Sequence, residues 1–581
     1  MTMRKISFGI MVDGPDLQLW QMRCIEELLR MPEVELSLFI VSDEARPEGM
    51  RSLFSEVPPG NLLFALYCRL FLRPDAARNI RWHNRFSDVP RLFCSPSNHE
   101  PGSIYLSDTD VDTIQAHDLD FILHFGFGTL HGEALTAARH GIWSFSQDNE
   151  RRNQGALGAF WPICSNDPVS GIVLQRLTDR GTDSIVLRRA DIRTRQTSVS
   201  ANLTGLLSAA AHLPSQVCQN LRTDGDDYLE EQSSADAAPA RNCPGNARML
   251  GFLFQLMWNR LRAIVRPLIY YEKWAIGLIR APIASLLNSE TPSIEWLPVG
   301  IENGYAADPF IALSPEGGSP LILFEDFDYA TWRGALSAVS LDGTKTAPPS
   351  VQILSLPGHL SYPYLFRENG ILYCLPENSE GREIALYRVA PDTGNLSRVS
   401  TIMADVAALD STIVKFDDRW WLFYTDRSEG SSDRLFIRFA DTLEGPWDPH
   451  PQNPVKIDVR SSRPAGTPFV KDGVLYRPAQ DCAASYGACV RIQRVIRLTT
   501  HSFAETECAV IAPDPHGPFP HGLHTLSGEG NLTVVDGKRE SFIWHAFVGS
   551  TRRRIASIVT RLRNRRPSQP APNPTPTSTF H

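Results

Sequence analysis

The segments ADPFIAL (307–313), SYPYLF (361–366), LDSTIVKF (409–416), AGTPFV (465–470) and LHTLSG (523–528) share one layout, and their spacing decides the fold of the C-terminal half. Counted from Asp308, Pro363, Asp410, Thr467 and His524, successive starts lie 55, 47, 57 and 57 residues apart. The first four are each followed by a turn and an aromatic-rich strand that ends in an acid or amide: LILFEDF (321–327), ILYCLPEN (371–378), WWLFYTDR (420–427) and VLYRPAQD (474–481). A weaker version of that second strand stands near SFIWHAF (541–547). A period of about fifty residues holding several short strands is what a propeller blade requires, whereas solenoid repeats are shorter. The pattern predicts an all-β five-bladed propeller over 295–550.

Working outward, residues 4 to about 200 alternate strand-like and helix-like patterns, which implies a βαβ start and a mostly parallel sheet. Ile6–Val12 and Val34–Val41 read as strands around a helical Leu17–Arg30. DLDFILHF (118–125) reads as a buried strand, followed by the GFG turn, a helix through Leu135–Arg139 and a strand at Ile142–Phe145. Ile172–Arg176 and Ser184–Arg188 read as a short strand pair. The expected organisation is therefore an α/β Rossmann-like domain over 1–210 and a flexible, acidic linker over 211–248. A helical connector with a lead-in strand (249–294) precedes the propeller (295–550), and a basic, then Pro-rich disordered tail follows (551–581).

Composition narrows the function classes. The 581 residues carry a net charge of −8, which argues against a nucleic-acid binder needing a basic stripe. The ten cysteines are scattered without CxxC pairs, and Cys482 and Cys489 lack a second ligand pair, so reduced thiols and no metal are expected. MLGFLFQLMWNRLRAIVRPLIYYEKW (249–274) is the most membrane-like stretch, but Arg260, Arg262 and Arg266 interrupt it before the roughly 20 apolar residues of a span. It is read as an amphipathic helix packed on a domain, with peripheral membrane contact left as the alternative. The short apolar start, ending at Asp13, reads as a first strand and not a signal peptide, so a cytoplasmic protein is expected.

Because blades place their first strand beside the central channel, the repeated polar residues are expected at one mouth. They are Asp308, Glu325, Glu377, Asp410, Asp426, Gln480 and Asp481, with Arg463, Arg477 and His524 beside them. Acids beside a few cations in a cleft suit a hydroxyl-rich small molecule or glycan. The alternative is that each acid caps a blade turn by accepting backbone N–H groups.

Two resemblances sharpen these readings. DLDFILHFGFGTLHGEAL, GIWSFSQDNERRNQGALGAFWPI and SGIVLQRLTDRGTDSIVL, within 118–190, resemble the formyltransferase domain of methionyl-tRNA and sugar N-formyltransferases. That resemblance implies 10-formyltetrahydrofolate as donor and an amino sugar as acceptor. It also implies an Asn, a His and an Asp that stabilise the oxyanion and move the proton. The Asp position falls on Asp183, the Asn position on Ser144 and the His position on Ser146, which cannot act as an acid or base near neutral pH. His131 and His140 read as surface positions on a helix.

The strings EKWAIGLI, ADPF, LSYPYLF, LPEN, LDSTIV, WWLFYT, RPAG, LYRPAQDC and GLHTLS, within 270–545, resemble the N-terminal propeller of plant glucosamine inositolphosphorylceramide transferases. That propeller in turn is similar to those of arabinan- and xylan-cleaving glycosidases. Their blade-one base corresponds to Asp308, while blade two offers Tyr362-Pro363 and blade three Asp410. Three functions follow as expectations: a formyltransferase-like transferase with a glycan-holding propeller, a non-catalytic glycan binder, or a glycosidase or glycosyltransferase using the propeller acids.

Overall fold

The computed structural model describes residues 5–43, 58–82, 85–95, 97–100, 103–146, 156–178, 184–230, 242–288, 292–299, 301, 303–314, 317–341, 350–390 and 393–564. Its N-terminal part is built on a seven-stranded sheet. We label the strands β1 (Ile6–Val12), β2 (Val34–Ser42), β3 (Arg91–Cys94), β4 (Phe121–His124), β5 (Ile142–Ser146), β6 (Val169–Arg176) and β7 (Ile185–Arg193). The spatial order is β7-β6-β5-β4-β1-β2-β3. Strands β5 to β3 of that order run parallel, and β6 and β7 are antiparallel additions. The order reverses at β1, which has β2 on one side and β4 on the other. In open parallel sheets such a switch point leaves a crevice beyond the carboxyl ends of the strands. The central strands are apolar because both faces are covered. Phe8, Phe121 and Trp143 stack across β1, β4 and β5 with ring centroids 5.4 and 3.8 Å apart.

Local expectations fared unevenly here. The helix expected at Leu135–Arg139 is a 3-10 turn at Gly132–Thr136. His140, expected on a helical surface, is buried beside Asp226. Residues 211–248, read as a flexible linker, carry the helix Leu213–Asp224, in which Val217 and Cys218 are fully buried. Its sequence is polar on average but presents one apolar stripe, and that stripe completes the α/β core. The helix Asn246–Ile269 adds Met249, Phe252 and Leu256 to the same core.

The C-terminal part is a five-bladed propeller. Four blades are consecutive four-stranded or extended meanders whose innermost strands are Gly304–Ala312, Ser361–Glu368, Ala408–Phe416 and Phe469–Lys471. The fifth blade is assembled from both ends of the domain. Leu526–Glu529 and Leu532–Ser541 come from the C-terminal side, and Tyr271–Ile279 and Glu295–Trp296 from the N-terminal side. Tyr271–Ile279 pairs with Leu532–Ser541 over nine residue pairs. That hydrogen-bonded seam closes the ring, so neither end is left as an open edge. The fifth blade's second strand is therefore Leu532–Ser541, not SFIWHAF. The latter runs into the helix Trp544–Asn564, which also replaces the first half of the tail expected to be disordered.

The two parts are joined by a polar seam. Asp191 on β7 pairs with Arg460 at 2.5 Å and with Arg189 at 2.8 Å, and its carbonyl accepts from Val459 N at 2.9 Å. Arg188 Nη2 donates to Val455 O at 2.7 Å, and Arg497 pairs with Asp224 at 2.6 Å. Ile457 of the propeller is buried in the α/β core.

Candidate functional site at the propeller axis

A repeated backbone irregularity sets the geometry. The innermost strands of blades one, two and three each carry a β-bulge, with register shifts between Ala307 and Phe310, Ser361 and Tyr364, and Leu409 and Thr412. The bulged residues are Asp308, Tyr362 and Asp410, with φ of 50°, 44° and 49°. Left-handed backbone costs a non-glycine residue energy and persists where surroundings fix it. Here it turns one side chain per blade toward the axis. In blade four the position is Gly466 (φ 120°), where a Cβ would lie 1.9 Å from Leu526 O, so only glycine fits. The blade-two counterpart of Asp308 is thus Tyr362, one residue before the proline that marked the repeat in the sequence.

Two linked clusters fill the centre. In the first, His524 lies between two carboxylates, with Nε2 3.1 Å from Asp308 and Nδ1 2.6 Å from Asp536. Asp308 also accepts from Thr525 Oγ1 at 2.7 Å and from Tyr362 N at 3.2 Å. Burial opposes charge on His524, but Asp536 and Asp308 outweigh it and raise the imidazole well above its usual value. Burial likewise opposes ionisation of Asp308, yet His524, Thr525 and Arg463 hold it below the ordinary carboxylate value. In the second cluster, Asp410 accepts from both arms of Arg463 and from Gln480 Nε2 at 2.6 Å. Its own N–H donates to Glu377 at 3.0 Å, and the Arg463 guanidinium lies 5.0 Å from the Tyr486 ring centroid.

Two further acids behave oppositely to Asp308. Burial, followed by the neighbouring charge of Asp410, pushes Glu377 up to about 8. Burial, followed by the charge of Asp308, raises Glu325 well above the usual range. Among the described residues, Glu325 Oε1 is buried without a hydrogen bond. His359 Nε2 lies 3.4 Å from it, and that imidazole is 29% exposed, so the buried group communicates with the surface there.

Of the residues singled out by sequence, Asp308, Glu325, Glu377, Asp410, Arg463, Gln480 and His524 converge. Three do not. Asp481 is tied to Arg491 at 2.7 Å and accepts from Ala483 N at 2.9 Å. Asp426 caps a turn by accepting from Ser428 N at 2.9 Å. Arg477 is buried against Glu505 at 2.6 Å, within its own blade. These are the turn-capping and strand-bracing roles that the alternative reading assigned to acids. Sequence reasoning missed Asp536, Tyr486 and Lys538, whose ammonium sits 5.2 Å from the Trp274 ring centroid. Asp308, His524 and Asp536 also bring three ligand atoms within 4.8 Å of one another. The imidazole already occupies the space between the carboxylates, so a cation would have to displace it.

On the N-terminal sheet, Ser144 lies on β5 opposite His124 at the end of β4, and His124 Nδ1 is 3.3 Å from Ser144 Oγ. This imidazole was not singled out by sequence. Ser146 is the last residue of β5, and Asp183 lies outside the described residues.

Residues 292–517 match the family described as glucosamine inositolphosphorylceramide transferase 1, N-terminal. Glucosamine inositolphosphorylceramide transferase 1 of Oryza sativa subsp. indica is 33% identical over 214 residues, and that of Arabidopsis thaliana is 32% identical over 216. Each alignment covers 36% of this chain and 28% of the relative, so the chain matches under a third of those proteins' length. Among solved structures, a thermostable family-43 glycoside hydrolase aligns at 13% identity and a TM-score of 0.29, over 39% of this chain and 84% of its own. Glycinamide ribonucleotide transformylase 1 from Symbiobacterium toebii aligns at 15% identity and a TM-score of 0.26, over 38% and 89%. Through its propeller, the chain is similar in sequence to the N-terminal region of a sugar-transferase family.

Proposed function

We propose that this chain is a carbohydrate-directed transferase, in which the propeller holds a sugar acceptor and the N-terminal crevice carries a formyl transfer. The observation that carries the sugar reading is the set of axis carboxyl groups with oppositely displaced proton affinities. Asp308 is held below the ordinary carboxylate value, while Glu377, raised to about 8, keeps its proton near neutral pH, and Glu325 is displaced in the same upward direction. Donors and acceptors fixed side by side are what a ring of hydroxyl groups requires. The sequence match to a sugar-transferase propeller supports the same reading.

Binding is favoured over hydrolysis. Asp410 stands where the resemblance puts a blade-three acid, but its oxygens accept from Arg463 and Gln480. Both oxygens are thus engaged by neighbouring side chains, whereas a hydrolytic acid must face the bond it cleaves.

The formyl part of the proposal rests on His124 and Ser144. They face each other across adjacent parallel strands, His124 at the carboxyl end of β4 and Ser144 two residues before the end of β5, where the expected histidine position holds Ser146. When bound, 10-formyltetrahydrofolate would supply an electrophilic formyl carbon. His124 would take the proton from the attacking amine and pass it to the folate nitrogen as its bond to the formyl carbon breaks, and the Ser144 hydroxyl would donate to the formyl oxygen. Calorimetric titration of the full chain with folate derivatives, amino sugars and nucleotide-sugars tests both parts. Heat with an amino sugar that disappears in Glu325→Ala supports the propeller reading. Heat with the folates supports the crevice reading, and silence with every ligand removes the transferase proposal.

A further inference from the structure

The helix Asn246–Ile269 buries only its first half. Met249, Phe252 and Leu256 enter the α/β core, while Phe254 (66% exposed), Trp258 (56%) and Ile264 (67%) face outward, and every residue from Arg260 to Pro267 is exposed. The apolar surface continues onto two neighbours. The helix Leu62–Phe71 packs Tyr67 against Phe252 at 5.9 Å and leaves Leu66, Leu70 and Phe71 exposed. On the other side, Tyr271 is paired with Ser541, which sets exposed Tyr270 beside exposed Phe542, and Trp544 (61% exposed) follows. Arg554 donates to Pro267 O at 3.3 Å, joining the C-terminal helix to the end of Asn246–Ile269. An apolar cavity of about 460 Å³ opens along this surface between Trp258, Val265 and Tyr270, with Arg262 and Arg266 on its lining.

Positive charge predominates on this face: of the residues lining the cavity only Glu540 is acidic, and it is paired with Arg266. The chain has a net charge of −8, yet Asn246–Ile269, Leu62–Phe71 and Trp544–Asn564 contain no Asp or Glu. Arg248, Arg260, Arg262 and Arg266 lie on the first of these helices and Arg552, Arg553 and Arg554 on the last. No helix among the described residues is long and apolar enough to cross a membrane. Exposed aromatic and aliphatic side chains flanked by arginines, on three acid-free helices of an acidic protein, match the two layers of a lipid interface: an apolar boundary and anionic headgroups. A protein partner would also cover apolar area, but nothing in that case calls for the exclusion of every acid from three separate helices.

We propose that this face seats the protein on an anionic lipid leaflet, with Phe254, Trp258 and Trp544 entering the interface and the arginines contacting headgroups. The proposal does not depend on the transferase reading. Co-sedimentation of the full chain with phosphatidylcholine vesicles, with and without phosphatidylglycerol, tests it. The expected result is binding to the anionic vesicles only, weakening with salt. Arg262→Gln combined with Arg553→Gln should reduce that binding about fivefold per arginine removed. Phe254→Ser combined with Trp258→Ser should abolish it without shifting the unfolding midpoint, because both side chains are exposed. Equal binding to neutral and anionic vesicles overturns the proposal, as does absence of binding by the unaltered chain. So does concentration-dependent self-association lost in Phe254→Ser/Trp258→Ser, which would assign the face to a second copy.

Discussion

The propeller axis and the carboxyl end of the N-terminal sheet both gather polar side chains where strands end, but they do so by different physics. At the axis, a histidine, an arginine and several acids are fully buried and neutralise one another through Asp308–His524–Asp536 and Glu377–Asp410–Arg463. Their positions are locked by left-handed bulges and by partners from other blades. At the sheet end, His124 and Ser144 are half-buried and lie 3.3 Å apart across a parallel pair. A site of the first kind is rigid, and its members are needed for folding as much as for ligand. A site of the second kind can lose a member at little structural cost. Substitutions should therefore separate the two regions by which property they damage.

The largest effect is expected from Asp536→Ala. It removes one of the two carboxylates that hold His524 and leaves a fully buried cation short of its partner, which costs about 3–5 kcal/mol. Urea unfolding measures it, and a loss under about 1 kcal/mol would mean the axis is not a stability centre. Next comes His124→Ala, expected to lower formyl transfer roughly 10²–10³-fold while leaving the unfolding midpoint near that of the unaltered chain. A large fall in stability there would erase the contrast between the two regions.

Glu377 sharpens the axis side of the comparison through pH. Its folded value of about 8 lies above the ordinary 4.5, so the folded state binds its proton more tightly than the unfolded state. The sign follows. The contribution is fully present below about pH 4.5 and is lost as pH rises through 8. His524 acts in the same direction at higher pH, and Asp308, depressed in the fold, acts oppositely at low pH. His140, His212, His359 and His450, all depressed by burial, act the other way in the unaltered chain and the variant alike, so between pH 5 and 8 Glu377→Gln, with no proton to release, should gain stability relative to the unaltered chain as pH rises. Thermal midpoints across that range decide it, and parallel curves would exclude a raised Glu377.

The same contrast explains what could be read from the residues alone. The propeller was legible because its period is local: each bulged strand is followed by its hairpin partner within one repeat. Blade five keeps that rule, since Leu526–Glu529 is followed at once by Leu532–Ser541, but that second strand, LTVVDGKRES, has no aromatic residue, so the aromatic SFIWHAF was taken for it and Asp536 and Lys538 were passed over. Its third strand, Tyr271–Ile279, comes from some 250 residues earlier in the chain. Burial direction was equally hidden. Asp410 and Asp481 both end or begin strands in the repeat, yet only the bulge turns Asp410 inward, while Asp481 meets Arg491 within its own blade. In the sheet, DLDFILHF revealed a buried strand but not its neighbour. His124 meets Ser144 only because β4 and β5 pair in parallel, a relation that no spacing between residues 124 and 144 encodes.

The smallest effect is expected at Asp426, and it tests whether the axis is a bounded site or merely the centre of a diffuse acidic domain. Asp426 ends the second strand of blade three, as Glu377 ends that of blade two, so in sequence the two are alike. In the fold Asp426 accepts from the backbone and hydroxyl of Ser428, at 2.9 and 2.6 Å, and is partly exposed. Asn can accept the same turn N–H, so Asp426→Asn should cost about 0.5 kcal/mol or less in urea unfolding. It should leave sugar binding unchanged, whereas Glu325→Ala removes it. Loss of binding in Asp426→Asn would extend the site to the blade rims. The burial and the left-handed bulges that mark off the axis would then not be what selects the ligand.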